Sequence, residues 1–201
     1  MTRYCMRFFE RLVACLWFPK GGLGEMSMNR VKVLASVTTL AALVLVTAVH
    51  ANDLKAAISK LAGDIKDGKG DPKAAVKAAD DTLEDVMYLL RGRRSIKIGE
   101  LQDLEKLVAN IQRDGAPKTL LAKGKDLEDA GYTLAAIARV SEHLPNDKGK
   151  KDKKAWKDFT DHWATAAIDF AKAGKAGDGT ALKNASLKIH ESCSKCHSKF
   201  K

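Results

Sequence analysis

Residues 190–201 of this 201-residue chain read HESCSKCHSKFK. Three of them, Cys193, Cys196 and His197, carry the chemistry, and the apolar spacing around them predicts a helix from about Thr180 to Phe200. On such a helix Cys193 and His197, four apart, stack on one face, with Cys196 one step round. Leu182, Ser186, Ile189, His190 and Phe200 fall within about a right angle of that face, whereas Lys188, Lys195 and Lys199 point away. One wall of the last helix therefore presents two thiols and an imidazole, and the other is wet.

Working back from this helix, no stretch alternates with period two, and helical spacing recurs instead. Residues Asp53 to Lys66 carry Leu54, Ile58, Leu61 and Ile65 before Gly68 and Gly70. Asp71-Pro72 reads as an N-cap with Pro at the first helical position, opening a helix to about Arg91 with Val76, Ala79, Leu83, Val86, Met87 and Leu90 on one side. Arg91-Gly-Arg-Arg94 breaks it. Further amphipathic segments run from Ile98 to Gln112, from Leu127 to Leu144, and from Lys154 to Ala173, the last with Trp156, Phe159, Trp163 and Phe170. Lys148-Gly-Lys-Lys-Asp-Lys-Lys154, next to Pro145-Asn-Asp, reads as a solvated loop. The expected fold is all-α: an antiparallel four-helix bundle with one or two extra short N-terminal helical segments.

The first quarter of the chain has a different character. Asn29-Arg-Val-Lys32 is basic and precedes the apolar run Val33 to Val49, which ends in Val49-His50-Ala51. That pattern predicts a signal peptide over 28–51, cleaved after Ala51, and hence a periplasmic protein, with a membrane anchor as the outcome if the run is kept. Residues 1–27 read as an upstream extension or a mis-assigned start, since Met26 and Met28 stand directly before the complete signal. The domain of interest is then 52–201, whose only thiols are Cys193 and Cys196. Six of the 35 Lys and Arg and two of the 25 Asp and Glu precede residue 52, leaving a mildly basic +6 with the signs interspersed. Without aromatic interleaving or a nucleic-acid motif, this charge gives no reason to expect nucleic-acid binding. Neither paired carboxylates, nor a nucleophile beside a base, nor a phosphate loop stands out, so an enzyme is not expected.

Two cysteines three apart close almost no loop, so a disulfide there would add little stability. A thioredoxin-like dithiol belongs at a helix N-terminus after a strand, which is absent from the pattern. A structural zinc needs four ligands, and Cys193, Cys196 and His197 with a remote fourth such as His190 make a poor tetrahedron on one helix. The His directly after C-x-x-C is what covalent haem attachment adds: both thiols fix the porphyrin edge and the imidazole ligates the iron. One covalent haem c on the last helix is the expected cofactor, with His197 as proximal ligand.

A helical chain that ends C-x-x-C-H-x-x-aromatic-basic, through Cys193, Cys196, His197, Phe200 and Lys201, resembles the class II cytochromes c, meaning cytochrome c prime and its low-spin Met-ligated relatives. Trp156, Phe159 and the turn Gly174-Lys-Ala-Gly-Asp178 look like the family's third helix and its turn, so the resemblance spans roughly Leu127 to Lys201. Lys201 stands where the family usually has Arg. The resemblance implies a distal group from the first bundle helix: Met in the low-spin members, a bulky apolar side chain in cytochrome c prime. Met87, the only methionine after residue 51, is the candidate distal ligand; a lone Met at helical spacing is also ordinary core. The implied function is a single-electron carrier meeting redox partners with an acidic docking surface. The alternative is a five-coordinate protein binding NO or CO, and homodimerisation through bundle helices belongs to the same resemblance. His143 and His162 offer bis-His ligation as a further option, and Arg91, Arg93 and Arg94 form a basic cluster beside Met87.

Overall fold

The computed structural model describes residues 53–79 and 82–201; the expected upstream extension (1–27) and signal peptide (28–51) lie outside the described residues. Helix dominates, and among the described residues there is no strand, only a single bridge between Ile98 and Leu101. Residues 53–66 are helical (α1). Then follow α2 (Lys73–Ala78), α3 (Leu83–Tyr88), a 3₁₀ turn (Gly92–Arg94), α4 (Leu104–Asp114), α5 (Lys118–Leu121), α6 (Gly124–Glu142), α7 (Asp147–Lys151), α8 (Lys153–Ala176) and α9 (Gly179–Phe200). None of these helices is long and apolar enough to cross a membrane.

Polar caps set the boundaries of the long helices. Asp152 accepts from Ala155 N (3.1 Å) to start α8, and Gly177 at φ 67° ends it in the left-handed region where glycine costs least. Asp178 directly follows and accepts from Thr180 N and Ala181 N at 3.0 and 2.9 Å, so one Gly-Asp pair closes α8 and opens α9. The two helices run antiparallel: Phe200 at the end of α9 meets Trp156 at the start of α8. Helix α6 is antiparallel to α8 in the same way, with Leu127 against Gly174, Gly131 against Ala171, and Ser141 against Trp156. Helix α4 lies along the other side of α9, where Lys183 Nζ donates to Arg113 O (3.4 Å).

Along this series the core is filled by Leu127, Leu134, Ile137, Val140, Ala164, Ala167, Phe170, Leu182 and Ile189, all nearly sealed from solvent. The α6–α8 seam is narrow because small residues line it. A Cβ built on Gly131 would sit 2.5 Å from Ala171 N, and one on Gly174 would sit 2.5 Å from Leu127 Cβ. Glu128, its side chain 8% exposed, bridges the seam from below, accepting from Lys66 Nζ (2.8 Å) of α1 and from Lys175 Nζ (3.0 Å) of α8.

Three boundaries differ from the sequence expectation. The helix expected from Asp71 to Arg91 is two helices, α2 and α3. Thr82 stands before α3 with extended backbone (φ −103°, ψ 111°), and its hydroxyl lies 2.9 Å from both Ala79 O and Asp85 Oδ2. A short hydroxyl side chain that bonds the local backbone competes with helix continuation. The helix expected from Ile98 starts instead at Leu104: Ile98 and Leu101 exchange backbone hydrogen bonds around a turn, and Asp103, at φ 58°, caps the helix by accepting from Lys106 N. The lysine-rich run expected to be loop is α7 and the first turn of α8, started by Asn146 Oδ1 accepting from Gly149 N (2.8 Å).

Candidate functional site

Helix α9 places Cys193, Cys196 and His197 on the wall of a cleft of about 420 Å³, within the size range of small-molecule and cofactor sites. The lining also includes Leu83, Met87 and Leu90 from α3 and the turn after it, and Leu104, Glu105 and Val108 from α4. Helix α8 supplies Trp156, Phe159, Thr160 and Trp163. Each candidate site residue from the sequence therefore borders the same space: Cys193, Cys196 and Met87 half-buried, Phe200 buried, His197 and Lys201 exposed. His190 borders it as well, exposed on the face it shares with His197. His143 and His162 are exposed and border other space, so the structure does not bring them to the cleft.

Electrostatically the two thiols are held neutral. Burial pushes the Cys193 thiol up to about 12, with the neighbouring Cys196 and Glu105 adding to the effect, and burial also raises Cys196. Among the described residues no three His, Cys, Asp or Glu side chains converge as they would around a bare metal ion. Of the basic residues after Met87, Arg91 lies 4.0 Å from Glu105, and Arg94 stacks 5.1 Å over the ring of Tyr88 while approaching Asp85 at 3.6 Å. Tyr88 OH donates to Glu84 (2.7 Å), which raises its pKa.

The last turn of α9 is fastened to the α6–α7 junction. Asn146 Nδ2 donates to Phe200 O (2.9 Å), Lys148 Nζ to Lys201 O (2.7 Å), and Lys199 pairs with Asp152 (2.6 Å). The Phe200 ring packs edge-on against Trp156 (5.1 Å) and Phe159 (6.0 Å). Trp156 in turn donates its indole N–H to Ser141 O (2.9 Å). By contrast Trp163, seven residues further along the same helix and 6% exposed, has a buried indole N–H with no partner among the described residues.

Sequence reasoning missed Asn146, Glu105 and the unpaired state of Trp163. Asn146 was visible only as a turn residue after Pro145, and its bond to Phe200 spans 54 positions. Glu105 carries no local signal, because its closeness to Cys193 comes from α4 packing on α9. Trp163 stood in the apolar row of its helix, but periodicity says nothing about whether an N–H finds an acceptor.

Two soft thiols, an imidazole and a thioether around an apolar cleft suit a covalently attached haem better than a tetrahedral cation, which needs four converging ligands. Compared with known protein families, curated proteins and solved structures, the chain matches none of them.

Proposed function

We propose that this chain is an exported monohaem c-type cytochrome of the class II kind, a four-helix bundle that carries single electrons in the periplasm rather than an enzyme. The observation that carries this reading is that Cys193, Cys196, His197 and Met87, from helices far apart in sequence, all border one cleft. Cys193 and Cys196 would hold haem c by thioethers, His197 would be the proximal ligand, and Met87 on α3 the distal one. Haem c supplies reversible one-electron chemistry, and paired His and Met ligation raises its potential. The chain's own contribution is exclusion of water by Leu83, Leu90, Leu104, Phe159 and Trp163, and a rim carrying Arg91 and Lys201 that favours partners with an acidic docking surface. Export rests on the 28–51 pattern alone.

The second reading is a five-coordinate NO- or CO-binding protein of the cytochrome c prime type. What favours it is that Leu83 and Leu90 flank Met87 in the cleft wall, offering an apolar cover for an open iron face. Expression with a haem-maturation system and ferric and ferrous spectra with and without CO separate the two. A low-spin, CO-inert spectrum that becomes high-spin in Met87→Ala supports the carrier. A high-spin, CO-binding wild type supports the gas binder, and absence of covalent haem sinks both.

A further inference from the structure

We propose that the lysine-rich end of the molecule, where α7, the first turn of α8 and the end of α9 meet, is the docking surface for an acidic protein. That the docked protein exchanges electrons rests on the reading above; the surface itself does not. Residues 147–154 carry Lys148, Lys150, Lys151, Lys153 and Lys154, and residues 195–201 add Lys195, Lys199 and Lys201, all exposed. The fold lays the two segments side by side: Lys148 Nζ donates to Lys201 O (2.7 Å), Asn146 Nδ2 donates to Phe200 O (2.9 Å), and Lys199 pairs with Asp152 at 2.6 Å. Three more carboxylates answer these lysines, Asp147 at Lys150, Asp158 at Lys154 and Glu191 at Lys195. Lys148, Lys151, Lys153 and Lys201 have no carboxylate partner among the described residues. Eight lysines against four carboxylates leave this end with +4 of the +6 carried by residues 52–201. The opposite end, where Gly124 of α6 meets Gly174 of α8, is nearly neutral: residues 118–129 and 169–183 hold six Lys against five Asp and Glu.

A basic run in a loop presents its charges in no fixed order, but here the run is helical. Asn146 caps α7 by accepting from Gly149 N (2.8 Å), Asp152 caps α8, and the end of α9 is tied to both. The lysines therefore form a fixed array, which suits the complementary charge pattern of a folded acidic surface. An anionic bilayer fits less well, because stable seating there needs apolar side chains to enter the headgroup region along with the charge. Trp156 and Phe200 at this end are buried, and the exposed Leu187 lies more than two turns back from Lys195 along the middle of α9. The surface also adjoins the cleft, since Asn146, Phe200 and Lys201 line it. A protein docked on these lysines lies against the turn that carries Cys196 and His197, which in the cytochrome reading is where electrons pass.

The test uses the protein as the cell exports it, with whatever cofactor it has acquired, and takes flavodoxin, a strongly acidic single-electron carrier, as the probe. On titration of the ¹⁵N-labelled protein at about 10 mM salt, where the Debye length is about 30 Å, backbone shifts should cluster in α7, the first turn of α8 and the last two turns of α9. Lys151→Glu with Lys153→Glu, two exposed positions, should weaken binding about tenfold. Lys118→Glu with Lys172→Glu makes the same change in net charge at exposed positions of the opposite end and should stay within about twofold. Equal losses in the two double variants would mean that net charge alone attracts the probe and would overturn the proposal. So would absence of binding, or shifts centred elsewhere. Phosphatidylglycerol vesicles that bind more tightly than flavodoxin, with the Lys151/Lys153 pair again decisive, would reassign the surface to a membrane. Protein that docks flavodoxin at this end but carries no covalent haem fails the cytochrome reading and keeps the surface. Haem-loaded protein that docks it without regard to Lys151 and Lys153 fails only the present inference.

Discussion

Replacing Gly131 with Ala should destabilise the protein even though alanine is the better helix former. A Cβ there would lie 2.5 Å from Ala171 N and 2.6 Å from Ala171 Cα and Cβ. Relaxed carbon contacts lie at about 3.5–4.0 Å, so α6 and α8 must part by about 1 Å, and no rotamer change helps because the obstacle is a backbone. Overpacking costs about 1–3 kcal/mol, with the upper end expected where packed helices must move. Set against a helix-propensity gain of about 1 kcal/mol, the net loss is about 2 kcal/mol. For a chain of this size that lowers Tm by about 4–8 °C. Gly63, also helical but with nothing within 4 Å of a built Cβ, is the control. Gly63→Ala keeps the propensity gain alone and should raise Tm by about 2–4 °C. Circular-dichroism melts of both variants in one buffer decide it, and a Gly131→Ala protein as stable as Gly63→Ala would refute the steric argument. Leu134, Thr160 and Trp163 border the cleft from these same two helices, so under the proposed haem reading the variant should also loosen the hold on the cofactor.

Glu128→Gln removes the charge that holds Lys66 and Lys175 together and should cost about 1 kcal/mol, since both lysines keep access to water. The hydrogen bond from Lys66, with help from Lys175, holds the Glu128 carboxyl below its ordinary 4.5. Its contribution is therefore complete above pH 4.5 and disappears as pH falls through the lower, folded value, so the stability gap between wild type and Glu128→Gln should close on acidification. A gap that stays constant to strongly acidic pH would refute the ion-pair account. In the folded chain with both thiols free, alkylation at mildly alkaline pH followed by peptide mapping should label Cys196 ahead of Cys193. Burial raises both thiols, but Cys193 lies deeper and is pushed up to about 12, so it presents less of the reactive thiolate. Equal labelling would mean that the last two turns of α9 open freely.

The three long helices α6, α8 and α9 were legible because each presents an uninterrupted apolar row between strong stop signals, such as Pro145 and the Gly174–Gly179 turn. The short elements were not. Thr82 divides what the apolar row from Val76 to Leu90 joined, and Leu101, apolar and correctly spaced for a helix, is buried from a turn that Gly99 and Asp103 bend with positive φ. In both places local side-chain and backbone hydrogen bonds outrank periodicity. The site divides the same way. Cys193, Cys196 and His197 sit within five residues and announce themselves, whereas Glu105 facing Cys193 and Asn146 holding Phe200 exist only because α4 and α7 fold back onto α9.

That fastening of the last turn changes where the molecule breathes. The final turn of a helix ordinarily frays, its amides exchanging with solvent far faster than those of the core. Here the turn carrying His197 and Phe200 cannot open unless Asn146 and Lys148 release it and the Phe200 ring leaves Trp156 and Phe159. Amide hydrogen exchange at the end of α9 should therefore follow that of the α6–α7 junction as one opening unit. Slackening Asn146 would loosen the C-x-x-C-H turn from half a hundred residues away.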